Sequence, residues 1–516
     1  EGVVSTTGYD VKLWTADTMN LGAATVGGAY TVNAGTTIDD SGAQIITGNA
    51  LFQTADDDSQ ITTDCTVAAC GAANSFGGTY TTVGGIGYTV NDASADGIVL
   101  EQRDLVGNLI VTAAGAVTQS GYQKIGGYTS ITATGKNITL DMTTNDFEGE
   151  VRMAGLNVEV VDADTIGLGV STVTGTYSVT ALDGDVTDSG VLTIDGITTV
   201  LASEDSEQDI TLNNNNNFKV GIVLEGRNVT VKVASAASLI LGHSSRTSTI
   251  TGWLKARGTG NAVTDEGALS VASITNITAT GQDVTFDHAS NNFQGALKIT
   301  GADVSVTHPT ALILGDSTVT GTYDIRTTTG NITDSGYLDI EGNSTFTTDA
   351  DGADITLDTT TNAFGTPTLG TVTVNTVGTG GDAEVHGGST NLKIIASGEV
   401  GTLRLTTTGG ADITDSGALV VLGATTIDAG TGNVTLDSEA GGTAHTNNLQ
   451  GAVGASGFNV SLTHPTTIEL GDSTVTGTYD VTATTENITD SGNLTITGLT
   501  TLVTSADGGD ITLNGT

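Results

Sequence analysis

Positively charged residues are scarce in this sequence. Lys and Arg number 15 against 58 Asp and Glu, which gives a formal net charge of −43 at pH 7. A field of that sign repels the phosphates of nucleic acids and the anionic headgroups of lipids. We therefore expect neither nucleic-acid binding nor electrostatic attachment to a membrane.

Aromatic residues and proline are also rare. Phe, Trp and Tyr together make up 4% of the chain, and only 3 of its 516 residues are Pro. Hydrophobic residues nevertheless reach 37% and the mean hydropathy is +0.07, which is too apolar for a disordered chain. Glycine is abundant at 72 residues, and Val, Ile, Leu and Thr stand in short alternating runs. This composition is typical of β-strands separated by turns.

Long apolar runs are absent as well. None approaches the roughly 18 residues that a transmembrane helix needs, so no membrane span is predicted. The chain begins at Glu1 without a methionine or an apolar leader. We expect that a signal was removed or that the chain is a segment of something longer.

Cysteine is limited to Cys65 and Cys70, in the segment TDCTVAAC. A close pair in an otherwise cysteine-free acidic chain indicates a disulfide that closes a loop in an oxidising compartment, with two free thiols as the alternative.

A repeat of about 75 residues dominates the sequence. One marker is a five-residue motif that begins with Ile or Val and ends in Gly, at Ile38, Val117, Val186, Val263, Ile332, Ile413 and Ile488. A second marker is an Asn or Ala-Asn before a Phe, at Phe76, Phe147, Phe218, Phe293 and Phe364, with Leu449 in the sixth place. The repeats run approximately over 2–77, 78–148, 149–220, 221–294, 295–364, 365–450 and 451–516. We expect the Phe positions to form a core column in one elongated domain, 1–516.

Within a repeat, short strand patterns alternate with Gly, Asn, Asp and Ser turns, and no helical periodicity is present. Strands this short and regular suit a sheet that coils on itself, each strand pairing with its equivalent one turn away. The sequence therefore predicts an all-β parallel β-helix with about three coils of roughly 25 residues per repeat; four coils of roughly 19 residues also fit.

The segment NNFQGALKITGADVSVTHPTALILGDSTVTG, followed by NITDSG and ADITLD, resembles the β-helical repeats of filamentous-haemagglutinin-like large exoproteins of Gram-negative bacteria. The resemblance covers essentially the whole chain. It implies a right-handed β-helix at the bacterial cell surface or outside the cell, an outer-membrane export partner, and a host or cell-surface receptor. No counterpart of that family's secretion domain, cell-binding module or toxin module is found.

Catalytic patterns are missing. Glycan-cleaving β-helices need carboxylates beside Arg or Lys in a groove with aromatic platforms, and 15 basic residues spread over 516 do not favour that arrangement. No phosphate-binding loop, zinc-protease motif or nucleophile elbow occurs. We expect no enzymatic activity and no cofactor.

Two features raise the question of a metal site. The run Asp56, Asp57 and Asp58 is typical of a solvated turn, with a loose Ca²⁺ site as the alternative. His308 and His464 occupy equivalent places in two repeats, and at about three coils per repeat they stand roughly 29 Å apart, too far to share a metal. We interpret both as turn residues.

These observations predict a non-catalytic structural shaft of a secreted bacterial surface protein, serving adhesion or extracellular fibre formation. The alternative is a self-assembling subunit of an extracellular filament or surface layer, since unpaired strand edges favour end-to-end or lateral self-association. A carbohydrate-binding or carbohydrate-cleaving β-helix is a third hypothesis.

Overall fold

A computed structural model describes residues 2–55, 59–202, 207–234, 236–365, 370–378, 380–437, 446–504 and 508–514. The chain divides into two compact units, Glu1–Thr259 and Gly260–Thr516. Each unit is a parallel β-helix in which short strands pair in parallel with strands of the next coil. The predicted fold class, an all-β β-helical solenoid, is confirmed.

In unit 1 the strands lie in two large sheets, here named A and B, and a small sheet C. Sheet A contains Val3–Gly8, Met19–Val26, Ile38–Asp40, Gln44–Ile46, Gln60–Thr63, Ser75–Phe76, Gly87–Asp92, Leu109–Ala113, Thr129–Thr132, Val151–Gly155, Ile166–Leu168, Ser171–Val173, Val186–Asp188, Leu192–Ile194, Ile210–Phe218, Val229–Val233 and Leu254–Gly258. Sheet B contains Val11–Trp14, Tyr30–Ala34, Ala50–Thr54, Thr79–Val83, Ile98–Leu100, Val117–Gln119, Ile138–Leu140, Val158–Asp162, Tyr177–Ala181, Thr198–Ala202, Ile222–Gly226, Leu239–Leu241 and Ser248–Ile250. Sheet C contains Arg103–Leu105, Gln123–Ile125 and Asp146–Phe147, and one short helix spans Val67–Cys70.

In unit 2 the strands again form two groups, here named sheets D and E. Sheet D contains Thr275–Thr278, Leu297–Gly301, Leu312–Leu314, Ser317–Val319, Ile332–Asp334, Leu338–Ile340, Ile355–Leu357, Ala363–Phe364, Ala383–His386, Leu403–Thr406, Thr425–Asp428, Val453–Gly457, Ile468–Leu470, Ser473–Val475, Ile488–Asp490, Leu494–Ile496 and Ile511–Thr512. Sheet E contains Val263–Asp265, Leu269–Val271, Val284–Phe286, Asn292–Phe293, Val304–His308, Tyr323–Thr327, Ser344–Thr348, Thr371–Thr376, Leu392–Val400, Ile413–Val421, Val434–Leu436, Asn448–Leu449, Val460–His464, Tyr479–Ala483 and Thr500–Thr504.

The coils are shorter than expected. In unit 2, seven successive pairings in sheet D carry the chain from Leu297 to Val453, which is two sequence repeats. In unit 1, seven pairings in sheet A carry it from Val3 to Val151, again two repeats. One repeat therefore makes three and a half coils of about 22 residues, because many strands are only three to five residues long.

A half-integral number of coils moves each repeat to the other sheet. In unit 2 the strands that open three successive repeats are Leu297–Gly301 in sheet D, Thr371–Thr376 in sheet E and Val453–Gly457 in sheet D. In unit 1 the corresponding strands are Val3–Gly8 in sheet A, Thr79–Val83 in sheet B and Val151–Gly155 in sheet A. Equivalent positions thus return to the same sheet only after two repeats.

The core consists of the inward-facing residues of both sheets. Strands alternate buried and outward side chains, and the buried positions are mostly Val, Ile, Leu and Ala. The Phe marker positions are all buried, as is Leu449. The ring centroids of Phe76 and Tyr80 lie 4.9 Å apart, and those of Phe364 and Phe346 lie 6.3 Å apart. These aromatic contacts join strands of different sheets across the interior.

Glycine stacks at the corners between strands because neighbouring coils approach closely there. A Cβ added to Gly342 would stand 2.3 Å from the carbonyl oxygen of Gly321 one coil earlier. Gly196 has the same relation to Gly175, with a separation of 2.4 Å. No larger residue fits such a corner without moving the backbone.

Candidate functional site

The two markers of the repeat meet inside the solenoid. An Asn stands two residues before each Phe or Leu marker, and its side-chain Nδ2 donates a hydrogen bond to the acidic or amide residue at the third position of the Ile/Val motif. The pairs are Asn74 with Asp40, Asn145 with Gln119, Asn216 with Asp188, Asn291 with Asp265, Asn362 with Asp334, and Asn447 with Asp415. All six Asn residues are buried.

The same Asn side chains also accept a hydrogen bond from the preceding coil. Asn216 Oδ1 lies 2.9 Å from the backbone nitrogen of Leu192, and Asn362 Oδ1 lies 2.9 Å from that of Leu338. Equivalent bonds join Asn74 to Gln44, Asn145 to Gln123, Asn291 to Leu269, and Asn447 to Leu419. Each Asn therefore fastens one coil to the next through both ends of its amide.

The Asp partner accepts backbone hydrogen bonds from the next coil. Asp188 accepts bonds from the backbone nitrogens of Asn213 and Asn214, at 2.9 and 3.1 Å. Asp334 does the same for Asp358 and Thr359. The most regular acidic residues of the sequence thus serve as internal hydrogen-bond acceptors.

Burial raises the pKa of three of these carboxyl groups. Desolvation raises the pKa of Asp40 to about 6, against the smaller opposing effect of its hydrogen bond from Asn74. Desolvation likewise raises the pKa of Asp265 and Asp334. A raised pKa that burial and a structural partner explain is not evidence for catalysis.

A second polar column ends the second strand after the Phe marker. Phe76 and Phe147 donate their backbone N–H groups to Asp92 and Asp162 in unit 1, at 3.0 and 2.8 Å. In unit 2, His308 Nε2 accepts the N–H of Phe293, and His464 Nε2 accepts that of Leu449, both at 3.1 Å. His308, His464 and the two Asp residues are all buried.

The Asp and His members of this column respond oppositely to pH. Desolvation raises the pKa of Asp162 to about 6, whereas it lowers the pKa of His308 and His464 below the usual 6.5. The Asp contribution to stability is present below its unfolded-state pKa and is lost as the pH rises through about 6. The His contribution is present above 6.5 and is lost as the pH falls through the lowered folded-state value.

The structure corrects the interpretation of the histidines. His308 and His464 end inward-facing strands and are buried, rather than being turn residues. They stand seven coils apart, roughly 34 Å at the spacing of neighbouring strands, so they bind no common metal. Among the described residues no cluster of three or more His, Cys, Asp or Glu could hold a metal ion. Asp56, Asp57 and Asp58 lie outside the described residues.

Cys65 and Cys70 form a disulfide, with Cα atoms 5.7 Å apart. The bond closes a loop around the short helix Val67–Cys70, between two strands of sheet A. Cys65 is buried, so one end of the loop is anchored against the solenoid.

Sequence reasoning located the Phe column, the Asn before it and the Ile/Val motif, but not the hydrogen bond by which the Asn joins the two markers. The signal was present, because the Asn precedes the marker by two residues in all six copies. The Asp and His column lacked such a signal, since its residue type changes between repeats.

In the part of the chain that the structure describes, no helix has the length and apolarity needed to cross a membrane.

Comparison with known proteins adds one finding. A family described as repeats of unknown function (DUF5649) matches six successive segments, 87–154, 155–224, 226–300, 301–375, 368–456 and 457–516. No curated protein and no solved structure matches the chain. The matched segments begin about six to nine residues after most of the predicted repeat boundaries, and none falls on the first predicted repeat, 2–77. Since these segments cover most of its length, the chain belongs to the DUF5649 family of repeats of unknown function.

Proposed function

We propose that the chain is a non-catalytic structural shaft of a secreted bacterial surface protein, serving in adhesion or in an extracellular fibre. The observation that carries the proposal is the use made of the periodic polar residues. The Asn and His residues that recur with the repeat are buried, and their Asp partners are buried or half-buried. All of them form hydrogen bonds between coils or turns, so the repeating residues hold the coils together.

Charged side chains at the surface support the same role. Basic residues pair with carboxylates, and several of these pairs join neighbouring coils: Lys298 with Asp316, Arg326 with Asp349, and Arg227 with Asp209, at 2.8 to 2.9 Å. Such exposed pairs each contribute only about 0–1 kcal/mol to the free energy of unfolding. They do, however, occupy Lys and Arg side chains that a catalytic groove would need.

Force spectroscopy tests the mechanical part of the proposal. The full chain is stretched between its ends, and a shaft is expected to resist unfolding and then extend in steps of one or a few coils. A coil of about 22 residues releases roughly 75 Å of extended chain. Asn291→Ala should lower the unfolding force, whereas Asn292→Ala, at the neighbouring outward position, should leave it unchanged.

Two further measurements test its other parts. New reducing ends released from polysaccharides by the purified chain would contradict a non-catalytic role.

Electron microscopy of native material, with and without EDTA, tests assembly. Isolated particles support a shaft, and ordered filaments would instead support the self-assembling subunit. The filamentous-haemagglutinin resemblance motivates the bacterial surface location, an export partner and a receptor, which fractionation of the source cells would test.

A further inference from the structure

One turn of the first repeat carries an insertion. In three other repeats, the turn before the Phe marker begins with an Asp four residues ahead of the buried Asn. These residues are Asp141, Asp287 and Asp358. In the first repeat the corresponding residues, Asp64 and Asn74, stand ten residues apart. The six extra residues, 66–71, contain the short helix Val67–Cys70.

Cys65 occupies a fixed place in this turn. Its carbonyl oxygen accepts a hydrogen bond from the backbone N–H of Asn74, at 3.1 Å. The same bond closes the shorter turns, where the buried Asn donates to the residue directly after the Asp, at 3.0 to 3.1 Å. The Asn residues of these turns are Asn145, Asn291 and Asn362. Despite its insertion, the first repeat therefore keeps the turn that positions its buried Asn.

The disulfide closes the insertion into a ring. It joins Cys65 to Cys70, so that their Cα atoms lie 5.7 Å apart although six residues have been added to the turn. Asn74 then reaches the preceding coil through both ends of its amide. Its Nδ2 donates to Asp40 at 2.6 Å, and its Oδ1 accepts the N–H of Gln44 at 2.7 Å. An open loop loses more conformational entropy than a closed ring when Asn74 is brought to this place.

The two cysteines differ in exposure. Cys65 is 1% exposed, whereas Cys70 is half-buried, so a thiolate reaches the disulfide at Cys70. The attack forms a new S–S bond to Cys70 Sγ and breaks the bond to Cys65, whose sulfur leaves as a thiolate and takes up a proton. A second thiol then displaces Cys70 in the same way. The products are two cysteine thiols and one disulfide of the attacking thiol.

We propose that the Cys65–Cys70 disulfide is a thiol-reactive site that controls coil pairing in the first repeat. In the oxidised state it holds Asn74 where both of its amide bonds form. A dithiol or a low-molecular-weight thiol opens the insertion, and the pairing of Ser75–Phe76 with Gln44–Ile46 is lost. The chain has no other cysteine, so the shorter turns do not respond. The proposal does not depend on the shaft function.

Hydrogen exchange of the full chain, oxidised and after treatment with dithiothreitol, tests the proposal. Alkylation followed by mass measurement establishes that the disulfide has opened. We expect the amides of Gln44, Asn74 and Phe76 to exchange at least about ten-fold faster after reduction, because their hydrogen bonds depend on this turn. The equivalent amides of the second repeat are the internal control and should not change. They belong to Gln123, Asn145 and Phe147.

A deletion variant separates the disulfide from the insertion. Removal of 66–71 together with Cys65→Met gives the first repeat an Asp-to-Asn spacing of four, as in the second repeat. Its amides should be protected as in the oxidised wild type, and dithiothreitol should not change them. The comparison of the two redox states uses the wild-type chain and is valid whether or not this variant folds.

Three results overturn the proposal. The first is a disulfide that dithiothreitol leaves intact in the folded protein. The second is an opened disulfide with unchanged exchange at Asn74. The third is equal loosening of the second repeat, which would mean that reduction unfolds the whole unit. None of these results bears on catalysis or assembly, so the shaft proposal is judged separately.

Discussion

At the scale of single residues, the most informative comparison lies inside the run of five Asn residues from Asn213 to Asn217. Asn216 is buried and bonded to both Leu192 and Asp188, whereas Asn217 is the next residue on the same strand and faces outward. Two chemically identical neighbours therefore have different roles. A polar run that looks like low complexity contains one residue on which coil pairing depends.

This difference gives a direct prediction. Asn216→Ala leaves the buried N–H of Leu192 and a half-buried carboxylate oxygen of Asp188 without their partner, and should lower the free energy of unfolding by about 2–4 kcal/mol. Asn217→Ala should change it by less than about 0.5 kcal/mol. Urea unfolding followed by circular dichroism measures both, and equal midpoints for the two variants would contradict the assigned role of Asn216.

The buried Asp162 provides a pH test. Its folded-state pKa of about 6 lies above the ordinary value of 3.8, so ionisation opposes folding. Wild type should lose stability between about pH 4 and pH 6, and Asp162→Asn should lose less, because the amide does not ionise. A pKa raised by about 2 corresponds to roughly 3 kcal/mol at neutral pH.

Thermal melts of both proteins from pH 4 to pH 8 measure the effect. The variant should gain on wild type as the pH rises through this window, and the gap should close near pH 4. A gap that is constant with pH would show that folding does not raise the pKa of Asp162. Asp164→Asn, which removes an exposed carboxylate nearby, is the control for the loss of one negative charge.

Residue-scale features were predictable only where the residue type recurs. The Phe positions follow from spacing alone, because a buried aromatic is kept in the same place in five repeats. The position held by Asp92, Asp162, His308 and His464 is invisible to that reasoning. A carboxylate and an imidazole can both accept the N–H of the marker residue. The hydrogen bond is therefore kept although the residue type differs between repeats.

At the scale of elements, corners decide the length of a coil. Gly196 approaches Gly175 so closely that Gly196→Ala should force the two coils apart and cost about 1–3 kcal/mol. Gly167→Ala is the matched control, since Gly167 faces outward on a strand and the added methyl group meets nothing closer than 3.9 Å. Thermal melts of the two variants should separate, and similar melting temperatures would mean that the corner relaxes without strain.

The presence of short strands separated by turns was predicted from the sequence, whereas the coil length was not. Alternation of apolar and polar residues marks each strand. The length of a coil, in contrast, depends on the turns between strands, and turns of two to four residues have no fixed sequence pattern. The 75-residue repeat fits three coils of 25 residues as readily as three and a half of 22. Only the pairing of Leu297 with Leu314, and of each strand after it, decides between them.

At the scale of the molecule, seven coils per two repeats can be measured within unit 2. Spin labels on Ser305→Cys and Ser461→Cys, at equivalent places in strands of sheet E, should lie roughly 34 Å apart. Six coils would place them roughly 29 Å apart. Double electron–electron resonance measures the distance, and the native cysteines take no label because they form a disulfide.

Because each repeat makes three and a half coils, an even and an odd number of repeats place the residues that follow on different sheets. When unequal recombination inserts or deletes one repeat, every residue downstream exchanges one sheet for the other, and whatever that residue displays turns to the opposite side of the solenoid. An exchange of two repeats restores the original side. Selection that keeps a feature facing one way should therefore add or remove these repeats in pairs, and the two best-matched copies, from Thr307 and Thr463, do stand two repeats apart.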